Sequence, residues 1–358
     1  MSQLPLCPHC LEPVRSGYHG SCPNCGKSLE NHNPEGALPL GTQLGGHYTV
    51  GEYQSADGDG LCYRGVDNDE RRFVLIKEYF PVTLCNGRSP DGDLMPKEGR
   101  EVLFKTSRMD FKDLYDDLHR ITPATGLSQI LDVMEENNTV YAVEETEKGM
   151  TLTHYLKLRA RTLTPVEART LLQPVMEGVA LLHKAGLIHR GICPDNILLP
   201  IDGAARLTGY GTLALRTAGS ELKSQLYPGY AAPEQYTRPG ASPDTIETVP
   251  LEETMPLRGY KDAFAYQNVR SNKGPSGRGV SNSVTAAQAT NAGGYGTISK
   301  RTDVYGIGAT LYYAITGQQP GHSLKDVRPI TSYKLKFSRS FLLIIARAMM
   351  KRQEERFC

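Results

Sequence analysis

The apolar positions along the chain change their period several times. Over residues 1–30 they have almost none; the stretch is rich in Cys, Pro, Gly and His, so something other than a hydrophobic core must hold it. A polar connector, residues 31–46, follows. From Tyr48 the pattern becomes strand-like in "HYTVGEY", "GLCYRGV" and "RRFVLIKEYF", with Asp-Gly and Asn-Asp-Glu turns between them. That succession predicts an antiparallel meander. "DFKDLYDDLHRI" has helical spacing, with Phe111, Leu114, Leu118 and Ile121 on one face, and "QILDVMEENNTVYAVEE" predicts a hairpin turning at Asn137-Asn138.

From Thr151 the pattern turns helical. "TPVEARTLLQPVMEGVALLHKAG" opens with Thr164 as N-cap, Pro165 in the first turn and Glu167 at the capping-box position, and stops at Gly186. Short strands are predicted around "NILLP" and "AARLTGYG", and two more helices in "DVYGIGATLYYAITG" and "SRSFLLIIARAMMKR". Between Tyr236 and Arg301 no period is sustained, and the Gly, Ser, Asn and Thr content predicts a disordered insertion over 237–299, a partner-docking role being the other reading.

A net charge of +1 over 358 residues gives no whole-chain field for nucleic acid or anionic lipid. The longest apolar runs fall short of the roughly 20 residues needed to span a bilayer, and the N-terminus has no apolar signal core. A cytoplasmic chain without a membrane segment is expected. Of eight cysteines, four form two tight pairs and Cys62, Cys85, Cys193 and Cys358 are scattered, which points to a reducing compartment and one metal site.

That site is Cys7-Pro-His-Cys10 with Cys22-Pro-Asn-Cys25. Two C-x-x-C knuckles supply a closed shell of four thiolates, the set that suits structural zinc. A redox pair would need a βαβ setting that is missing here. With four cysteines at hand His9 and His19 are bystanders. Arg15 and Lys27 against Glu12, Glu30 and Glu35 make no phosphate-binding footprint, so a nucleic-acid regulator is the weakest reading. The knuckles resemble the small zinc ribbons at the ends of many bacterial regulatory proteins.

Five further landmarks occur in order: "VLIKEYFP", "HRGICPDN", "LTGYG", "YAAPEQY" and "RTDVYGIGATLYYAITG", with "EERF" near the end. In this order they resemble a bacterial eukaryotic-like (Hanks-type) Ser/Thr protein kinase domain. The resemblance implies an α+β fold class: a bilobal kinase-like domain over 47–358, with a β-rich N-lobe (47–147) and an α-rich C-lobe (148–358), preceded by the ribbon at 1–30. It also implies a further helix, and a transmembrane or sensor region, downstream of residue 358.

Carried over position by position, the resemblance leaves the chemistry depleted. Phosphoryl transfer needs a cradled triphosphate, magnesium and a carboxylate that orients the attacking hydroxyl. In "SADGDG", Ser55 and Asp57 stand at the first two glycine positions of the phosphate loop and only Gly60 is kept, while Asp57 and Asp59 bring negative charge toward the phosphates. Lys77 is retained, but Leu114 falls where its glutamate partner is expected, Leu75 replaces a small alanine and Glu144 replaces an apolar gatekeeper. Gly191 stands at the catalytic aspartate, Cys193 at the loop lysine and Gly209 at the magnesium-binding aspartate; Asn196 survives. His189, Arg190, Glu234, Asp303 and Arg356 resemble positions that tie the loop, the activation segment and the C-lobe together.

The expectation is therefore a pseudokinase, a protein-binding or signalling module whose partners are proteins and whose one cofactor is structural zinc. ATP and magnesium are not expected. The alternative is a nucleotide-binding enzyme with weak or rewired transfer, resting on Gly60, Lys77 and Asn196.

Overall fold

The strand-like stretch that begins at Tyr48 becomes a sheet in the computed structural model, which describes residues 6–14, 20–201, 203–236, 297–321 and 327–357. A short β1 (Gln43–Leu44) leads into β2 (Tyr48–Ala56), β3 (Gly60–Asp67) and β4 (Arg72–Tyr79), each antiparallel to the last. β5 (Cys85–Arg88) and β6 (Leu94–Pro96) make a separate hairpin that the sequence pattern did not reveal.

Helix α1 (Glu101–Ile121) begins earlier than "DFKDLYDDLHRI" suggests, because Phe104 extends its apolar face. The buried apolar residues are Phe104, Phe111, Tyr115 and Leu118, with Ser107 buried among them, whereas Leu114 and Ile121 are half-buried; the stripe is rotated by one position relative to the expected face. β7 (Ile130–Glu136) and β8 (Thr139–Glu145) pair through a turn in which Asn137 and Asn138 have φ of 52° and 55°, the left-handed pair of a two-residue hairpin. The six-stranded order is β1-β2-β3-β4-β8-β7.

The lower lobe is helical. β9 (Gly149–Thr151) runs into α2 (Leu152–Arg159), and α3 (Pro165–Lys184) starts with the Thr164–Glu167 capping box. β10 (Ile197–Pro200) and β11 (Arg206–Leu207) join β9 in a three-stranded sheet at the lobe boundary. α4 (Lys300–Thr316) is capped by Ser299, and α5 (Arg339–Ala348) ends before the apolar pattern does. One hydrophobic core runs through both lobes. The insertion expected at 237–299 falls, up to residue 296, outside the described residues, as do Arg15, His19 and Cys358.

Candidate functional sites: the four-cysteine cluster and the interlobe cleft

The two knuckles are built alike. Cys7 and Cys22 each begin a tight turn closed by a backbone bond, Leu11 N–H to the Cys7 carbonyl and Gly26 N–H to the Cys22 carbonyl, and each turn is flanked by a short bridge, Leu6 to Pro13 and Ser21 to Ser28. The residue after the second cysteine of each pair is left-handed, Leu11 at φ 64° and Gly26 at 72°. The Sγ atoms of Cys7, Cys10, Cys22 and Cys25 all lie within 4.8 Å of one another, Cys7 to Cys25 at 4.0 Å and Cys10 to Cys22 at 3.8 Å. A tetrahedron with metal–sulfur arms of about 2.3 Å has edges of about 3.8 Å, so the thiols stand where a zinc ion would place them. The His9 ring reaches the Ser28 carbonyl at 3.0 Å instead of joining the cluster.

A cleft of about 370 Å³ lies between the lobes. The antiparallel register sets its roof: Cys62 pairs with Lys77, and Leu75 with Glu144, so all four side chains share the sheet face over the cleft. Leu198 on β10 forms part of the floor.

The turn between β2 and β3 closes on itself. Asp57 Oδ1 accepts from the backbone N–H groups of Asp59 and Gly60, both at 2.9 Å, and its Oδ2 accepts from Lys77 Nζ at 2.9 Å. Asp59, fully buried, takes the N–H of Thr212 at 2.9 Å and the Thr212 hydroxyl at 2.6 Å, with Lys77 Nζ at 3.8 Å. Burial pushes Asp59 toward the protonated form and Lys77 works against it. Gly60 is obligatory, since a Cβ there would lie 1.8 Å from the Glu78 carbonyl. The acidic pair therefore does more than place charge in the loop. It occupies the loop's own amides and the lysine.

Lys77 is buried, and its pKa is raised well above the ordinary value against the pull of desolvation, chiefly by Asp57. From α1 it meets the Phe111 ring, 5.9 Å from the centroid, and Tyr115, whose hydroxyl donates to the same Tyr210 carbonyl that Lys77 reaches at 3.3 Å. Leu114 instead lines a small apolar pocket with Leu118, Leu182 and Leu187.

The loop 189–196 is held by Asp303. Its carboxylate accepts from the His189 N–H at 2.9 Å, the Arg190 N–H at 2.7 Å and His183 Nε2 at 2.8 Å. His189 Nε2 faces the Thr208 carbonyl at 2.9 Å and so donates, while Nδ1 accepts from the Gly191 N–H at 3.2 Å. Burial keeps this ring neutral and lowers its pKa to about 4. Arg190, at φ 60°, reaches the Gly211 carbonyl. Below them, Arg356 makes a two-pronged pair with Glu234 at 2.8 and 3.0 Å, both side chains fully buried.

The depleted positions have been filled. A Cβ on Gly191 would meet the Tyr227 ring at 3.1 Å and the Arg216 guanidinium at 3.2 Å; a Cβ on Gly209, at φ 74°, would lie 2.6 Å from the Asn196 carboxamide. Arg216 is buried, stacks on Tyr227 and donates to the Gly209 carbonyl at 2.8 Å and to Gln225 at 2.9 Å. Asn196 gives its Nδ2–H to the Gly191 carbonyl at 2.7 Å. Cys193 is buried, its thiol pushed up to about 12, so it brings no charge to the loop. One carboxamide oxygen is a poor site for magnesium, which prefers carboxylate and phosphate oxygens.

Residues 118–245 match the protein kinase domain family. A solved structure described as the apo form of PpkA-294 aligns with a TM-score of 0.60 at 22% identity, covering 90% of this chain and 96% of that one. The chain has the protein-kinase fold. PknL of Mycobacterium tuberculosis is 32% identical over 121 residues, 33% of this chain and 30% of that protein. PknA of the same species is 27% identical over 212 residues, 57% of this chain and 44% of that protein. The chain thus spans less than half the length of these relatives.

Of the residues singled out in the sequence, Lys77, Asn196 and Gly209 line the cleft, Gly60 and Gly191 are bonded to lining residues and Cys193 is buried in the loop, while His189, Arg190, Asp303, Glu234 and Arg356 form a hydrogen-bonded frame. Sequence reasoning missed Arg216 and Tyr227, which line the cleft, and Thr212, which holds Asp59. They lie in the irregular stretch after "LTGYG", where no periodicity or motif singles out a side chain.

Proposed function

We propose that this kinase-fold chain transfers no phosphate and acts as a protein-binding or signalling module in the cytoplasm. The reading is carried by Asp57, whose carboxylate binds the two loop amides and the lysine that a nucleotide phosphate would require. Catalysis by the family depends on positioning and charge stabilisation. With glycine at 191 and 209 and the Arg216 guanidinium beside both, those two positions offer neither a base nor a magnesium ligand. The four thiols hold structural zinc, which fits a reducing compartment; metal analysis of purified protein should give one zinc per chain.

A second reading, a nucleotide-binding enzyme with weak or rewired transfer, is favoured by Lys77 and Asn196 at the cleft and by relatives named as kinases. Thermal-shift titration with ATP and magnesium, alongside a radiolabel transfer assay, separates the two, because a ligand that binds the native state raises its melting temperature. No shift and no transfer are expected. A magnesium-dependent rise would overturn the first reading. Co-purification of the protein from its own cells would identify the partner.

A further inference from the structure

Cations and carboxylates balance over the whole chain, 40 to 39, but they are not evenly mixed. Residues 334–352 carry six cations, Lys334, Lys336, Arg339, Arg347, Lys351 and Arg352, and no carboxylate. All six are exposed. The next carboxylates, Glu354 and Glu355, sit in the short turn Gln353–Glu355 beyond α5.

Helix α5 runs through the middle of this stretch. Leu342, Ile345 and Ala348 are its buried face, and Arg339, Leu343, Ile344 and Arg347, spaced by whole turns, share the opposite side. Leu343 and Ile344 are 50% and 51% exposed, the one place among the described residues where two consecutive large apolar side chains both face water. Met350, just past the helix, is exposed as well. A single exposed aliphatic side chain needs no explanation. A pair of them set between arginines on one helix face calls for a partner that is both anionic and apolar.

A bilayer surface rich in anionic lipid is such a partner. Each Lys or Arg brought near it adds roughly fivefold to binding, and the boundary between headgroups and acyl chains takes aliphatic side chains that a nucleic acid would leave wet. Arginine suits this boundary, because its stem lies along apolar surface while its head stays among the phosphates. We propose that this face of the C-lobe docks on an anionic lipid surface, Leu343 and Ile344 entering the headgroup–acyl boundary, Arg339 and Arg347 meeting lipid anions beside them, and the other cations adding to the attraction. None of these residues lines the cleft, and the proposal does not rest on the loss of phosphate transfer.

The chain has no tryptophan, so Leu343→Trp places one polarity-sensitive fluorophore on this face. Its emission should shift to the blue with phosphatidylcholine vesicles containing roughly a third phosphatidylserine, and not with phosphatidylcholine alone. Leu158→Trp, at an exposed position of α2, should respond to neither. In co-sedimentation the wild-type chain should bind the anionic vesicles at least about tenfold more tightly than the neutral ones, and the preference should shrink as salt is raised. Arg339→Gln with Arg347→Gln, and separately Leu343→Ser with Ile344→Ser, should each weaken that binding about tenfold or more. All four positions are exposed, and urea unfolding checks that the fold is kept. Equal binding to both kinds of vesicle, a fluorophore at 343 that stays in water, or anionic binding that survives either double variant overturns the proposal. Retention of a DNA duplex without vesicle binding would assign the cations to nucleic acid and overturn it too. The two vesicle types and the two fluorophore positions decide the matter even if a double variant folds poorly.

Discussion

Glu234 and Asp57 are both carboxylates turned onto a cation away from water, yet one ties the lower lobe together and the other fills the mouth of its own cleft. Glu234 accepts from Arg356, Thr302 and Gln353, and every N–H of Arg356 has an acceptor, the remainder being the carbonyls of Met350, Arg301 and Lys351. Asp303 holds two successive backbone amides of the loop above. The carboxylate bonds of Glu234 and Asp303 join segments far apart in the chain. The bonds of Asp57 join a turn to itself and to the strand beside it, and take up the loop amides of Asp59 and Gly60 and one side of Lys77. The frame of the kinase fold is intact while its ligand-binding groups have been turned inward.

If the frame is the structural half of that contrast, breaking it should cost most. Glu234→Ala leaves the Arg356 guanidinium buried without a counter-charge, and removing one partner of such a pair costs about 3–5 kcal/mol. Urea unfolding should show a loss of that size; a loss below about 1 kcal/mol would place the pair among ornamental ones.

The frame should also be sensitive to acid through His189. The unfolded chain takes up this proton near the ordinary 6.5, the native state only near 4. Below 6.5 the unfolded state binds more protons, so stability present above that pH drains away as pH falls through the window, by at most about 1.4 kcal/mol per unit and about 3 kcal/mol in all. Unfolding free energies measured between pH 7 and pH 4.5 should show this slope, and His189→Gln should flatten it by about one proton.

The two glycines at the depleted positions should respond differently. Gly209→Asp drives a Cβ into the Asn196 carboxamide and should cost about 1–3 kcal/mol. Gly191→Asp brings a carboxylate beside Arg216, whose Nε has no partner among the described residues, and should be close to neutral. Neither variant, nor both together, should transfer phosphate in a radiolabel assay.

Much of this was legible in the sequence because it lies in ordered motifs or in periodic patterns. The meander, the Asn137-Asn138 hairpin and the Thr164 capping box follow from local rules that tertiary contacts did not override. The frame residues sit within short motifs of their own. The inward turn of Asp57 was not legible: the letters "SADGDG" give the charge, but only the fold brings Thr212, far along the chain, against Asp59 and sets Lys77 against Asp57. Arg216 was hidden for the same reason, since its neighbours Gly191, Gly209 and Tyr227 come from three separate segments.

A modest expected change in stability carries the sharpest test of the contrast. Asp57→Ala removes a charge-assisted bond to Lys77 and two bonds to the loop amides, all in a partly buried turn. Bonds of this kind contribute on the order of 1–2 kcal/mol, and Asp59 remains to hold Lys77, so the melting temperature should fall only modestly. The same change exposes the N–H groups of Asp59 and Gly60 and frees Lys77 on one side. If Asp57 stands in for a phosphate, the variant should gain weak ATP binding that the wild-type chain lacks. Because positions 191 and 209 still offer no carboxylate, that binding should not depend on magnesium. Calorimetric titration of both proteins with ATP, with and without magnesium, reads this directly; a variant that gains nothing would show that the cleft is closed by Arg216 and Tyr227 alone.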